Sequence, residues 1–139
     1  MILPKTSKPS RAQERDAYEL VTLRDRGACV RCGFTGQVER DHRQNRMPGN
    51  TVASNLQLLC GPFAPNGGCH KWKSEHPADA IAEGFAVSKY EDPLVWPARR
   101  LFTGEHGIRT FGWVLYDNAG HVLEITAEEA ARRMEGLVA

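Results

Sequence analysis

The segments Cys29-Val-Arg-Cys32-Gly33, Val38-Glu39-Arg40-Asp41-His42, Asn55-Leu56-Gln57-Leu58-Leu59-Cys60 and Cys69-His70-Lys71-Trp72-Lys73 lie within one stretch of the chain, and their spacing decides how it is read. Two residues separate Cys29 from Cys32, 27 intervene before Cys60, and eight more before Cys69. A two-residue gap lets both sulfurs of one tight turn reach the same ion, and four soft ligands suit tetrahedral zinc. The eight-residue gap is wider than a knuckle needs, so the loop Gly61 to Gly68 must fold back to bring Cys60 and Cys69 together. An ion held by all four, Cys29, Cys32, Cys60 and Cys69, has no open position and serves the fold. Buried unligated cysteines or a redox pair is the other reading of the same residues.

Outward from this stretch, the chain reads as α+β. Val38 to His42 is a short strand that delivers Asp41 and His42 at its far end, and Asn55 to Cys60 is a second. A helix starts at Cys69. Upstream, Ser10 and Gln13 form a capping box for a helix whose apolar face is Ala17, Leu20 and Val21, with Leu23, and which ends near Gly27. Downstream, Pro77 to Glu83 is a short helix closed by Gly84, and Asp92 to Pro97 is extended or turning. Phe111 to Tyr116, the turn Asp117 to Gly120, and His121 to Ile125 make a hairpin. Thr126 and Glu129 then cap a helix reaching about Glu135. Residues 1–9 read as a flexible basic arm, 10–76 as the core, and 77–139 as an extension packed on it.

At 139 residues, with 41% hydrophobic and 25% charged, the chain is the size and composition of one soluble globular domain. The start carries Pro4, Lys5, Lys8 and Pro9 where a signal peptide needs an apolar run, and no stretch is long and apolar enough to span a membrane, so a cytoplasmic location is expected. In that reducing compartment a metal site is a better use of four cysteines than disulfides. The net charge of +1 conceals a split: residues 1–76 hold 12 Lys and Arg against 7 Asp and Glu, and residues 77–139 hold 6 against 10. The first part suits an anionic polymer; the second does not.

Cys-x2-Cys, an Asp-His at a strand end, Asn-Leu-Gln-x-Leu-Cys, and Cys-His followed by lysine occur in order from about Ala17 to Ser74. In this the chain resembles the zinc-containing HNH endonucleases. It departs from them in the gap between Cys60 and Cys69, eight residues where that family usually has two. Gly84 to Ser88 and Asp92-Pro93 are similar to the tails of bacteriophage-encoded members, which places the protein in a host cytoplasm.

The resemblance implies a treble-clef-like ββα-metal core around the structural zinc, and hydrolysis of DNA phosphodiesters. His42 would be the general base. Asp41 and His70 would hold a catalytic divalent ion, magnesium, manganese or another transition metal, and Asn55 would brace the loop that orients His42. Read alone, Asn55 is a turn residue at a strand start, and His70 could replace Cys60 or Cys69 on the zinc; His76 is a further candidate ligand. Arg40, Arg43, Arg46, Lys71 and Lys73 are the expected contacts to backbone phosphates. Trp72, Trp96 and Trp113 are expected in the core. Partners beyond DNA would be a second copy, since double-strand cutting from one site needs a dimer or two nicks, and phage packaging proteins docking on the tail. The rival from another class is a non-catalytic zinc module that binds nucleic acid or a protein.

Overall fold

The computed structural model describes residues 9–135, and most of the expected basic arm lies outside them. Helix α1 spans Arg11–Arg24. Its capping box is present in full: the Ser10 hydroxyl accepts from the Gln13 amide and the Gln13 side chain accepts from the Ser10 amide. Ala17 and Val21 are the buried apolar residues of this helix. Leu23 is 77% exposed, because the inward face continues through Arg24, whose side chain is buried in an ion pair. Arg26 and Gly27 turn the chain out of the helix with φ of 56° and 67°.

Strands β1 (Val38–His42) and β2 (Leu56–Cys60) pair antiparallel, with Asp41 opposite Gln57 and His42 opposite Leu56. All five residues of β2 are buried, because both faces are covered. Leu56 and Leu58 pack with Ala17 and Val21 of α1, whereas Leu59 and Cys60 join Cys29, Val30, Cys69 and Phe85. Alternation puts Leu56 and Leu58 on one face and Leu59 on the other, and Cys60 at the strand end joins the cluster of Leu59. Helices α2 (Cys69–Glu75) and α3 (Pro77–Ala82) follow, α3 with proline in its first turn.

The extension is a three-stranded antiparallel sheet in the order β3 (Ala98–Thr103), β4 (Arg109–Tyr116), β5 (Val122–Ile125), followed by α4 (Ala127–Glu135). The expected hairpin is its second half. Strand β3 adds to it, and its inward residues are Ala98 and Arg100. Val30 ties the two sheets together: its amide donates to Leu58 O at 2.9 Å and its carbonyl accepts from the Leu101 amide at 2.8 Å. The turn before β5 reaches back as well, Asn118 Oδ1 accepting from the Ser54 amide at 3.0 Å.

Asp25 is the charged centre of this junction. It accepts from Arg24 Nε at 2.8 Å, from Arg100 at 2.8 Å and from the Leu58 amide at 3.1 Å, and Arg100 also donates to the Tyr116 hydroxyl at 3.3 Å. Burial raises the Tyr116 phenol above its ordinary range, so it stays protonated. Removing one partner from a buried ion network leaves the others uncompensated. Asp25→Asn is therefore expected to lower unfolding free energy in urea by about 3–5 kcal/mol; a loss near zero would mean that the network is not an anchor.

Candidate functional site

Two neighbouring constellations are built on the β1–β2 pair and α2. The first is the cysteine set. Cys29 and Cys32 sit on a turn closed by the Gly33 amide donating to Cys29 O and the Cys29 amide donating to Phe34 O, each at 2.9 Å. Cys60 ends β2 and Cys69 begins α2. The loop between them does fold back, through successive turns from Gly61 to Ala64 and from Ala64 to Gly67. Gly68 completes it at φ +105°, where a Cβ would stand 2.8 Å from Gly61 O, so only glycine fits.

The four sulfurs lie within 4.8 Å of one another and could hold a metal ion such as zinc. A tetrahedron with metal–sulfur bonds of about 2.3 Å has edges of about 3.8 Å, and Cys32 and Cys60 stand 3.5 Å apart. The surroundings suit thiolates. Arg31 donates to Cys69 Sγ at 3.3 Å, Asn66 Nδ2 at 3.4 Å, and the Cys69 amide donates to Cys60 Sγ at 3.1 Å. The Cys29 thiol and the Arg31 guanidinium, both hydrogen-bonded to Cys69, hold that cysteine well below the ordinary thiol range. Arg31 is itself stacked 3.6 Å from the Trp72 ring. Trp72 packs edge-on against Phe85, and Trp96 is buried, as their apolar character suggests.

The second constellation surrounds Asp41, which is buried. Gln57 Nε2 donates to Asp41 Oδ2 at 2.9 Å; Lys73 Nζ stands 3.0 Å from Oδ2 and 3.2 Å from Oδ1. Lys73 also donates to His42 O at 2.8 Å. His70, one turn before Lys73 on α2, brings Nδ1 to 3.0 Å from Asp41 Oδ1 and 3.7 Å from Glu39 Oε2. Yet that nitrogen is buried and has no aligned hydrogen-bond partner. Asp41 at this distance raises His70 above the ordinary imidazole range. His70 is not among the zinc-type ligands; the cluster is made of the four cysteines.

His42 follows Asp41 on β1 and turns the opposite way. Its Nε2 is 2.9 Å from Thr51 Oγ1, and its ring stands edge-on to Tyr18. Burial lowers its pKa, which favours the neutral ring at pH 7. The structure therefore brings Asp41, His70 and Lys73 together and holds His42 on the opposite face of the same strand end.

Asn55 is fully buried in the 3-10 turn Ala53–Asn55 that leads into β2. Its Oδ1 accepts from the Gln44 amide at 2.7 Å, and its Nδ2 donates to Gln44 O and Asn50 O at 3.0 Å each. These three bonds close the loop that leaves His42, so Asn55 is both the turn residue and a brace across the loop.

Arg43 requires a correction as a phosphate contact. It is 1% exposed, and its guanidinium donates to the carbonyls of Ser54 at 2.7 Å, Pro93 at 3.1 Å, Trp96 at 3.0 Å and Pro97 at 3.4 Å. Burial lowers its pKa to about 10, which leaves it cationic and clamping the extension onto the loop. Lys73 is also largely withdrawn, its side chain 12% exposed on Asp41. Arg40 and Lys71 remain on the surface, as does Arg46, paired at 3.5 Å with Glu14. Sequence reading missed Gln57 and Thr51 as partners of Asp41 and His42. The signal for Gln57 was a lone polar residue in an otherwise apolar strand.

No family model, curated protein or solved structure matches the chain. Among the described residues, no helix is long and apolar enough to cross a membrane.

The cysteine geometry makes a direct prediction. Cobalt added to metal-free protein is expected to give the tetrahedral d–d bands and thiolate charge-transfer absorption of a four-sulfur site, and Cys69→Ser should weaken both. A spectrum equal to that of free cobalt would exclude a site formed by these sulfurs.

Proposed function

We propose that the chain is a metal-dependent endonuclease of the HNH type that hydrolyses DNA phosphodiesters, with a ββα-metal core and structural zinc on Cys29, Cys32, Cys60 and Cys69. The observation that carries this reading is the meeting of Asp41 and His70, whose buried Nδ1 lacks an aligned partner beside a carboxylate oxygen at 3.0 Å. A carboxylate oxygen and an imidazole nitrogen aimed at one place fit a divalent ion. When bound there, magnesium, manganese or another transition metal would neutralise charge growing on the phosphate.

The residues of the chain do the rest. His42, neutral at pH 7, donates Nε2–H to Thr51 in the tautomer that leaves Nδ1 with its lone pair, and Nδ1 takes the proton from the attacking water. Asn55 holds the loop that carries Thr51, and so holds His42. Gln57 and Lys73 fix the Asp41 carboxylate from two other directions. Arg40, Arg46 and Lys71 meet backbone phosphates and make binding salt-dependent. The phage source, the cytoplasmic location and a homodimer belong to the same reading.

One observation favours a second reading. Lys73 already supplies Asp41 with a cation, so Asp41 and His70 could be a purely structural ion network in a non-catalytic zinc module that binds nucleic acid or a protein. The two readings separate in one assay. Supercoiled plasmid should be nicked or linearised by the wild-type protein only with magnesium or manganese. His42→Ala should lose at least about a hundredfold of the rate, the usual contribution of a general base. Because the folded pKa of His42 is lowered, its neutral form persists to lower pH, and the acid limb of the rate profile should lie below about 6.5. A folded wild-type protein that cuts nothing under either ion supports the binding module.

A further inference from the structure

Beside the Asp41 group lies a pocket of about 490 Å³ whose walls include Lys73, Pro77, Ile81, Lys89 and Tyr90. That volume falls in the range that holds a small organic ligand. Of its three basic lining residues, Arg43 is spent on backbone carbonyls and Lys73 on Asp41, which leaves Lys89 as the exposed cation, and no acidic residue lines it.

The rim of the pocket is built rather than loose. Gln44, two residues after His42, is buried and donates from Nε2 to Ser88 O at 2.9 Å and to Glu91 O at 2.7 Å. The Val87 amide donates to Arg43 O at 2.9 Å. Three hydrogen bonds thus fix residues 87–91 to the segment that leaves His42. What this anchored rim presents outward is Tyr90, 82% exposed, with Lys89 Nζ 5.0 Å from its ring centroid. A large aromatic ring held in water on a fixed loop, next to a lysine, has the two components that bind single-stranded nucleic acid: a stacking face and a cation for the phosphate. Pro77 and Ile81 give the apolar floor on which a base or sugar can rest.

Resting on the nuclease reading, we propose that this pocket takes one unpaired nucleotide of the DNA substrate next to the cleavage site, its base against Tyr90 and its phosphate on Lys89. A nucleotide inside a duplex keeps its base in the stack, so entry into the pocket needs a nucleotide that has left it. The substrate class that follows is DNA with an unpaired residue at the cut: a single strand, a gap or a flap.

Fluorescence anisotropy with labelled single-stranded and duplex oligonucleotides of matched sequence, in magnesium-free buffer and on the full chain, tests this. The wild-type protein is expected to bind the single strand more tightly than the duplex. Tyr90→Ala should weaken single-strand binding about tenfold, in line with the loss of one stacked base, while changing duplex binding little, and Tyr90→Phe should restore it. Lys89→Ala should lower the magnitude of the salt slope by about one phosphate contact. Single-strand affinity unchanged in Tyr90→Ala, or equal losses on both DNAs, would overturn the pocket. Cleavage of a labelled single strand and of a gapped duplex by the same proteins, with magnesium added, keeps the two readings apart. Normal cleavage with no effect of Tyr90→Ala on single strands sinks the pocket and leaves the nuclease. Tyr90-dependent binding without cleavage sinks the nuclease and leaves a single-strand site.

Discussion

Four sulfur atoms within 4.8 Å of one another set the constraint on which the rest of the structure depends. One of the apolar clusters of this small fold consists of Cys29, Val30, Leu59, Cys60, Ala64, Cys69 and Phe85. Three of its seven buried members are cysteines, which bury far less apolar area than Leu or Phe would. A metal ion held by the four sulfurs would supply the cross-link that so thin a core lacks. It also sets positions. The knuckle fixes Val30, which bonds to β2 on one side and β3 on the other, and Cys69 fixes the first turn of α2. Because His70 and Lys73 follow Cys69 on that helix, the place of Asp41's partners is determined by the cysteine cluster.

A second layer of control comes from buried polar groups. Asp25 joins α1, β2 and β3; Arg43 joins the loop after His42 to Pro93, Trp96 and Pro97; Asn118 in the extension holds Ser54. Asp25 and Arg43 are charges withdrawn from water and satisfied by partners distant in sequence, so each is costly to disturb, while the exposed Asn118 adds one bond between the extension and the core. Their combined effect is that the extension is part of what holds the His42 loop. Asn55 completes this from within by closing the loop on itself.

The local signals were legible in the sequence because their partners are near. Ser10 and Gln13 are three residues apart, and their reciprocal bonds are the ones observed. The short apolar run Asn55 to Cys60 read as a strand, and Leu56–Cys60 is one. What the sequence concealed depends on distance. Arg43 has the appearance of a phosphate contact, and nothing near it shows that its carbonyl partners lie up to 54 residues away. Strand β3 carries no periodic signal, because Arg99-Arg100 interrupts its apolar pattern; Arg100 is nevertheless an inward residue, its charge met by Asp25. Lys73 was legible as a cation but not as the partner of a buried Asp41. The candidate site was thus readable as a set of residues, while their grouping, with Asp41, His70 and Lys73 on one face and His42 on the other, required the fold.

A metal on the four cysteines that holds the fold, and through it the site, must leave its mark on stability when it is removed. Thermal unfolding followed by circular dichroism, for the protein as purified and after a strong chelator, tests it most directly. The chelated protein is expected to lose much of its far-ultraviolet signal or to melt at a far lower temperature, and zinc is expected to restore both. An unchanged spectrum and midpoint after the metal has been shown to be gone would contradict it.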